Sequence, residues 1–120
     1  MDLKILSVHG HGDHKEEYVL LEAIEDCDVG RFQLCDTTFT RDGKVSNKLR
    51  HTYWFPDKEV KKGDLISVWT KTGSDTTTKN KKGTPVHRFY WGLTKAVWND
   101  DGDCAVLQYI GAWKAVSVKS

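Results

Sequence analysis

Between Trp98 and the apolar run from Cys104 to Ile110 stands the cluster Asn99-Asp100-Asp101-Gly102-Asp103. Asn and Asp tolerate left-handed backbone and bond to their own main chain, while Gly removes the Cβ clash, so the chain reverses direction here. An aromatic closes one extended segment, the polar cluster turns the chain, and an apolar segment follows. This reads as a turn between strands.

Much of the chain repeats that pattern. Leu3 to Val8 is a short apolar run that ends at a Gly/His-rich turn. Gly30 to Asp36 alternates, with Phe32 and Leu34 on one face. Thr37 to Asn47 is a polar connection with a turn expected at Asp42-Gly43. Leu49 to Phe55 is strand-like, and Pro56 ends it because proline cannot donate to a ladder. Lys61-Lys62-Gly63-Asp64 turns into Leu65 to Thr70, a run suited to a pleated surface. Lys71 to Pro85 is too polar to offset its own ordering entropy and is expected to be a mobile loop. Arg88 to Trp91, Cys104 to Ile110 and Trp113 to Val118 complete a set of about eight short strands, which predicts an all-β antiparallel sandwich in a single domain over residues 1–120. Trp54, Phe55, Val68 and Trp98 are the expected core or near-core residues.

One segment is ambiguous. From His14 to Ile24, Asp13 can cap a helix, Glu16 sits at the capping-box position, and Leu20, Ala23 and Ile24 share a helical face. Read as a strand, Val19, Leu21 and Ala23 point one way instead. Local propensity slightly favours the helix.

Lys plus Arg number 18 against 17 Asp plus Glu, a net charge of +1, so no bulk field favours nucleic acid or anionic lipid. The odd count of three cysteines (Cys27, Cys35, Cys104) fits reduced thiols better than a disulfide framework. The N-terminal residues lack the apolar core of a signal peptide, and no run is long enough to span a membrane. A cytoplasmic protein is therefore expected.

His9-Gly10-His11-Gly12-Asp13-His14 spells H-x-H-x-D-H, which resembles the metal-binding signature of the metallo-β-lactamase superfamily. Neutral imidazoles and a carboxylate converging on zinc would activate a water for hydrolysis. Such a site needs a fold of about twice the size of one small domain and further ligands from later loops. Only His51 and His87 remain, one in a strand pattern and one beside the expected mobile loop. Gly10 and Gly12 are also expected to leave the turn flexible. The zinc-hydrolase reading through His9, His11, Asp13 and His14 is therefore kept as an alternative, with no metal or other cofactor expected. No nucleophile elbow or phosphate-binding loop is present.

Four segments, in this order, resemble the lamin-tail domain, an immunoglobulin-like module of nuclear lamins that also occurs in bacterial proteins. Glu17-Tyr18-Val19-Leu20-Leu21-Glu22 looks like its early strand. Gly30 to Asp36 is similar to its Gly-x-aromatic-x-aliphatic strand, with Phe32 where Trp is usual. Tyr53-Trp54-Phe55-Pro56, with Val60 to Trp69, resembles its Phe-Pro corner, turn and following strand. Val97 to Asp103 and on through Leu107 resembles its Trp-Asn-x-x-Gly-Asp hairpin. The resemblance implies an immunoglobulin-like sandwich, makes Glu16 to Ala23 a strand, and brings no catalytic residues. It implies a non-enzymatic binding or adaptor module whose partner is another protein. No coiled-coil heptads accompany it, so a filament role is not expected. Loops at a sandwich end are the usual recognition surface, which nominates Arg41, Lys44, Lys48, Lys79, Lys81 and Lys82. Salt-sensitive nucleic-acid binding through the Lys-rich loop is the weaker alternative.

Overall fold

The computed structural model describes residues 1–99 and 102–118. In chain order the strands are β1 (Leu3–His9), β2 (Tyr18–Ala23), β3 (Cys27–Asp28), β4 (Phe32–Thr38) and β5 (Thr52–Trp54). They continue with β6 (Glu59–Val60), β7 (Leu65–Trp69), β8 (Thr76–Lys79), β9 (Pro85–Tyr90) and β10 (Asp103–Tyr109). A single turn of 3₁₀ helix, Val29–Arg31, joins β3 to β4. The larger sheet has five strands in the order β1-β2-β7-β9-β8, the smaller has three in the order β10-β4-β5, and β3 pairs with β6. The fold is an all-β sandwich, with ten strands among the described residues where about eight were expected.

The ambiguous segment is a strand. Val19, Leu21 and Ala23 are buried while Tyr18, Leu20 and Glu22 are half-buried, the two-residue period of a sheet with one face on the core. The helix signals are not empty, since Asp13 accepts the amides of Glu16 and Glu17 and closes one turn. Pairing with β1 on one side and β7 on the other then overrides local propensity. Leu3, Val19, Leu21, Ile66, Val68 and Phe89 from the larger sheet meet Phe32, Leu34 and Phe55 from the smaller side, with Val97 and Trp98 sealing one end. Each such aliphatic or phenyl side chain contributes roughly 1.5–3 kcal/mol by leaving water.

Several expectations are corrected. Lys71 to Pro85 is not a mobile loop: it contains β8, which pairs antiparallel with β9, and a tight turn closed by Asn80 and Gly83. Thr76, Thr77 and Thr78 are β-branched, and an edge strand exposed on both faces needs no apolar alternation. The sandwich is not purely antiparallel, because β7 and β9 run parallel. Trp113 to Val118 forms no strand, and Leu49 to Phe55 contributes only Thr52–Trp54. The segment before the Asn-Asp cluster, Trp91 to Asn99, is not strand, and β10 pairs with β4. Asp100 and Asp101 of that turn lie outside the described residues. Phe55, Val68 and Trp98 are buried as expected, but Trp54 is 44% exposed. Tyr53 and Phe55 take the inner face of the strand, and the alternation sends Trp54 outward.

Candidate functional site

The outer face of the larger sheet carries a stack of side chains crossing four strands. His9 and Tyr18 face each other across β1 and β2 with ring centroids 4.7 Å apart. Tyr18 and Trp69, register partners across β2 and β7, stack at 4.4 Å. The Arg88 guanidinium of β9 lies 4.7 Å from the Trp69 ring centre and the Lys71 ammonium 5.0 Å. Each cation over an indole face contributes about 0.5–1 kcal/mol at such exposed sites. Trp69 Nε1 donates to Ser67 Oγ at 3.1 Å, which ties the indole to its own strand.

Beside this stack the same face opens into a groove of about 290 Å³, floored by Leu20, Leu65 and Val86 and walled by Tyr18, Trp69 and Arg88. The floor is aliphatic and the wall ends in a guanidinium. Such a groove suits an aliphatic side chain carried next to a carboxylate, since Arg presents a planar fork of donors that matches that group. The one carboxylate on the same face of β2, Glu22, is engaged by Lys4 at 3.5 Å.

The nominated basic residues do not form one surface. Arg41, Lys44 and Lys48 belong to the connection after β4, where Thr40, Asp42 and Lys44 to Lys48, but not Arg41, line a hollow of about 490 Å³. Lys44 stands 4.0 Å from Asp42, whose carboxyl is held below its usual range chiefly by the Thr40 hydroxyl. Lys79, Lys81 and Lys82 flank the β8–β9 turn, beside the start of β7 and thus at the opposite end of the sandwich. These residues supply two separate small clusters.

The H-x-H-x-D-H turn is neither loose nor convergent. Gly10 has φ +61°, and a Cβ there would meet the Glu16 carbonyl oxygen at 2.9 Å, so only glycine fits. Gly12 donates its amide to Glu17 Oε1 at 3.1 Å, which braces the turn from below. His9 Nε2 bonds Ser7 Oγ at 2.6 Å, His14 Nε2 bonds the Leu93 carbonyl at 2.7 Å, and Asp13 accepts the Lys15 amide. His11 is exposed. Among the described residues these four side chains do not gather into a metal-binding group.

Among the described residues three carboxylates are buried, Glu17 among them, although the pair Glu16-Glu17 reads from sequence as a solvated turn. Glu17 is fully buried and accepts from Gly12 N, Thr70 Oγ1, Val97 N and Trp98 N. Asp36, 1% exposed, accepts the His51 amide at 2.7 Å, its ring Nδ1 at 2.9 Å and the Arg50 guanidinium at 2.9 Å. Asp64 accepts His87 Nε2 at 2.8 Å and the Lys61 amide at 3.0 Å. His87 lies inside β9, buried, rather than bordering a loop. Glu17 and Asp64 stand at the beginnings of strand segments and Asp36 near the end of one, where polar residues look ordinary. Only tertiary closure buries them.

The cysteines are free and unreactive in character. Burial, reinforced by Asp2, Glu59, Asp28 and Asp26, pushes the Cys27 thiol up to about 11. Burial raises Cys35, against a lowering by the Thr52 hydroxyl, and burial raises Cys104. A thiol that stays protonated at neutral pH is a poor nucleophile. No described helix is long and apolar enough to cross a membrane. The chain matches no protein-family model, and a search of the curated proteins finds no significant match.

Proposed function

We propose that this chain is a non-enzymatic binding module of the lamin-tail type, and that it recognises an extended segment of a partner protein on the outer face of its larger sheet. The observation that carries the reading is the groove of about 290 Å³ with its floor of Leu20, Leu65 and Val86 and its Arg88 wall. An aliphatic side chain on the floor and a neighbouring Asp or Glu on Arg88 satisfy both halves of the surface. The basic residues Arg41, Lys44, Lys48, Lys79, Lys81 and Lys82 sit at the two ends of the sandwich and steer an acidic partner at low salt rather than anchor it.

The test is a peptide library in which one Leu, Ile or Val is flanked by Asp or Glu, titrated into isotope-labelled protein. Amide shifts are expected to cluster at Leu20, Leu65, Val86 and Arg88. Arg88→Glu is expected to weaken binding about tenfold or more, about 1.4 kcal/mol. Shifts confined to the ends of the sandwich, or an Arg88→Glu variant that binds as well as the parent, would remove the groove as the site.

A further inference from the structure

On the edge of the larger sheet, four residues from four separate parts of the chain form one hydrogen-bonded line. Asp64 Oδ2 lies 2.8 Å from His87 Nε2, His87 Nδ1 lies 3.1 Å from Thr77 Oγ1, and Lys58 Nζ lies 2.6 Å from the same hydroxyl. Asp64 and His87 are buried, 7% and 6% exposed, whereas Thr77 is exposed on β8.

For a neutral His87 ring the donors and acceptors in this line follow by elimination. An ionised carboxylate only accepts, and Asp64 Oδ2 already takes the Lys61 amide, so His87 Nε2 must carry the proton that it shares with Asp64. In the neutral ring Nδ1 is then an acceptor, and its neighbour Thr77 must donate the hydroxyl proton to it. The Lys58 ammonium has only donors, so it fills a lone pair on Thr77 Oγ1. The hydroxyl proton therefore points at a base whose orientation a buried carboxylate fixes, and a positive charge rests against the oxygen that would lose that proton. Lys58 is itself held in place: its amide donates to Asp28 Oδ1 at 2.9 Å, and its carbonyl accepts the Val29 amide at 2.9 Å.

We infer that Thr77 is an acyl-acceptor site, a surface hydroxyl activated by Asp64, His87 and Lys58 that takes an acyl group from activated esters or thioesters. Thr77 Oγ1 attacks the carbonyl carbon, forming a new C–O bond. Its proton passes to His87 Nδ1 and the developing oxyanion lies beside the Lys58 ammonium. The donor's C–O or C–S bond then breaks, the imidazolium returns its proton to the leaving alkoxide or thiolate, and the products are acyl-Thr77 and a free alcohol or thiol. No redox partner enters the step. A positioned general base contributes about 10²-fold or more to such an attack, enough to distinguish Thr77 from every other hydroxyl of the chain. This site is independent of the groove and stands or falls separately.

The test uses the full chain with p-nitrophenyl acetate and, separately, a small acetyl thioester, followed by intact mass and peptide mapping. Thr77 is expected to acquire one acetyl group at least about 10²-fold faster than any other threonine or serine. Thr77→Val is expected to abolish that adduct and Thr77→Ser to retain it. Because His87 is buried and its variants can unfold, the second arm is wild-type protein in urea, where the preference for Thr77 is expected to vanish. Acetyl groups on Lys58 or scattered over the hydroxyls of the native protein would overturn the proposal. A preference for Thr77 that survives in urea would overturn it too, since selectivity would then owe nothing to the assembled line.

Discussion

Replacing Glu17 should cost more stability than any other single polar substitution in this chain, because its carboxylate holds three separate segments together. Oε1 takes the Gly12 amide at 3.1 Å, and Oε2 takes the Thr70 hydroxyl, the Val97 amide at 2.8 Å and the Trp98 amide at 3.4 Å. All the donors are main-chain or hydroxyl groups, and the residue is wholly buried. In Glu17→Gln the carbonyl oxygen can keep one side of this arrangement, but the amide nitrogen must then face a donor on the other. One buried donor is orphaned at about 1–3 kcal/mol and the remaining bonds lose their charge assistance, for a total of about 3 kcal/mol. Glu17→Ala orphans every partner and should cost about 5 kcal/mol or more, a large part of the 5–15 kcal/mol typical of a domain. With a urea slope of about 1.5 kcal/mol/M, the Gln variant should unfold about 2 M earlier by tryptophan fluorescence, and the Ala variant about 3 M earlier or more. A Gln midpoint within about 0.3 M of the parent, or an Ala variant more stable than the Gln variant, would refute the reasoning.

Gly10→Ala should cost about 1–3 kcal/mol, because φ +61° and a 2.9 Å approach to the Glu16 carbonyl leave no room for a methyl group; thermal melts measure it. Hydrogen exchange should find the β9-facing amides of β8 protected, together with Asn80 and Gly83, whereas a mobile loop would exchange within the dead time. The Cys27 thiol ionises near 11 in the fold against 9.0 for an unburied thiol, so its contribution to stability is full below about 9 and is lost as pH rises through 11. Iodoacetamide should accordingly label Cys27 slowly at pH 8 in native protein and at the free-thiol rate once unfolded; equal rates would contradict the burial argument.

The sequence made some elements easy to read and hid others for identifiable reasons. β1 and β7 are apolar runs bounded by turn residues, and β2 shows its two-residue period as soon as the helix alternative is set aside. β8 was invisible to a hydrophobicity argument because an exposed edge strand buries nothing; its signal was the three consecutive threonines ahead of Asn80 and Gly83. Trp113 to Val118 carries strand-like residues but forms no ladder, and its Trp113 ring packs edge-on against Trp54 at 5.0 Å instead. Expecting Trp54 and Phe55 both in the core overlooked that neighbours in a strand face opposite ways. The groove and the Thr77 line draw on residues from 18 to 88 and from 58 to 87. No local pattern announces them, because parallel register between β7 and β9 is what brings their parts together.

That β8 closes the larger sheet also bears on solubility. A bare β9 would offer a row of unpaired amides and carbonyls on a strand that also carries Val86, Phe89 and Tyr90, a ready template for fibrillar growth. β8 covers it with threonines and Lys79, all exposed, and Lys81 and Lys82 follow in the turn, so that a second molecule approaching this border meets hydroxyls and like charge. At the opposite border β1 is broken by a bulge between Ile5 and Ser7 and carries Lys4. The four-residue strand that looks least important to the fold thus protects the whole sheet from aggregation, and a chain shortened across residues 71–84 would be expected to precipitate before it unfolds.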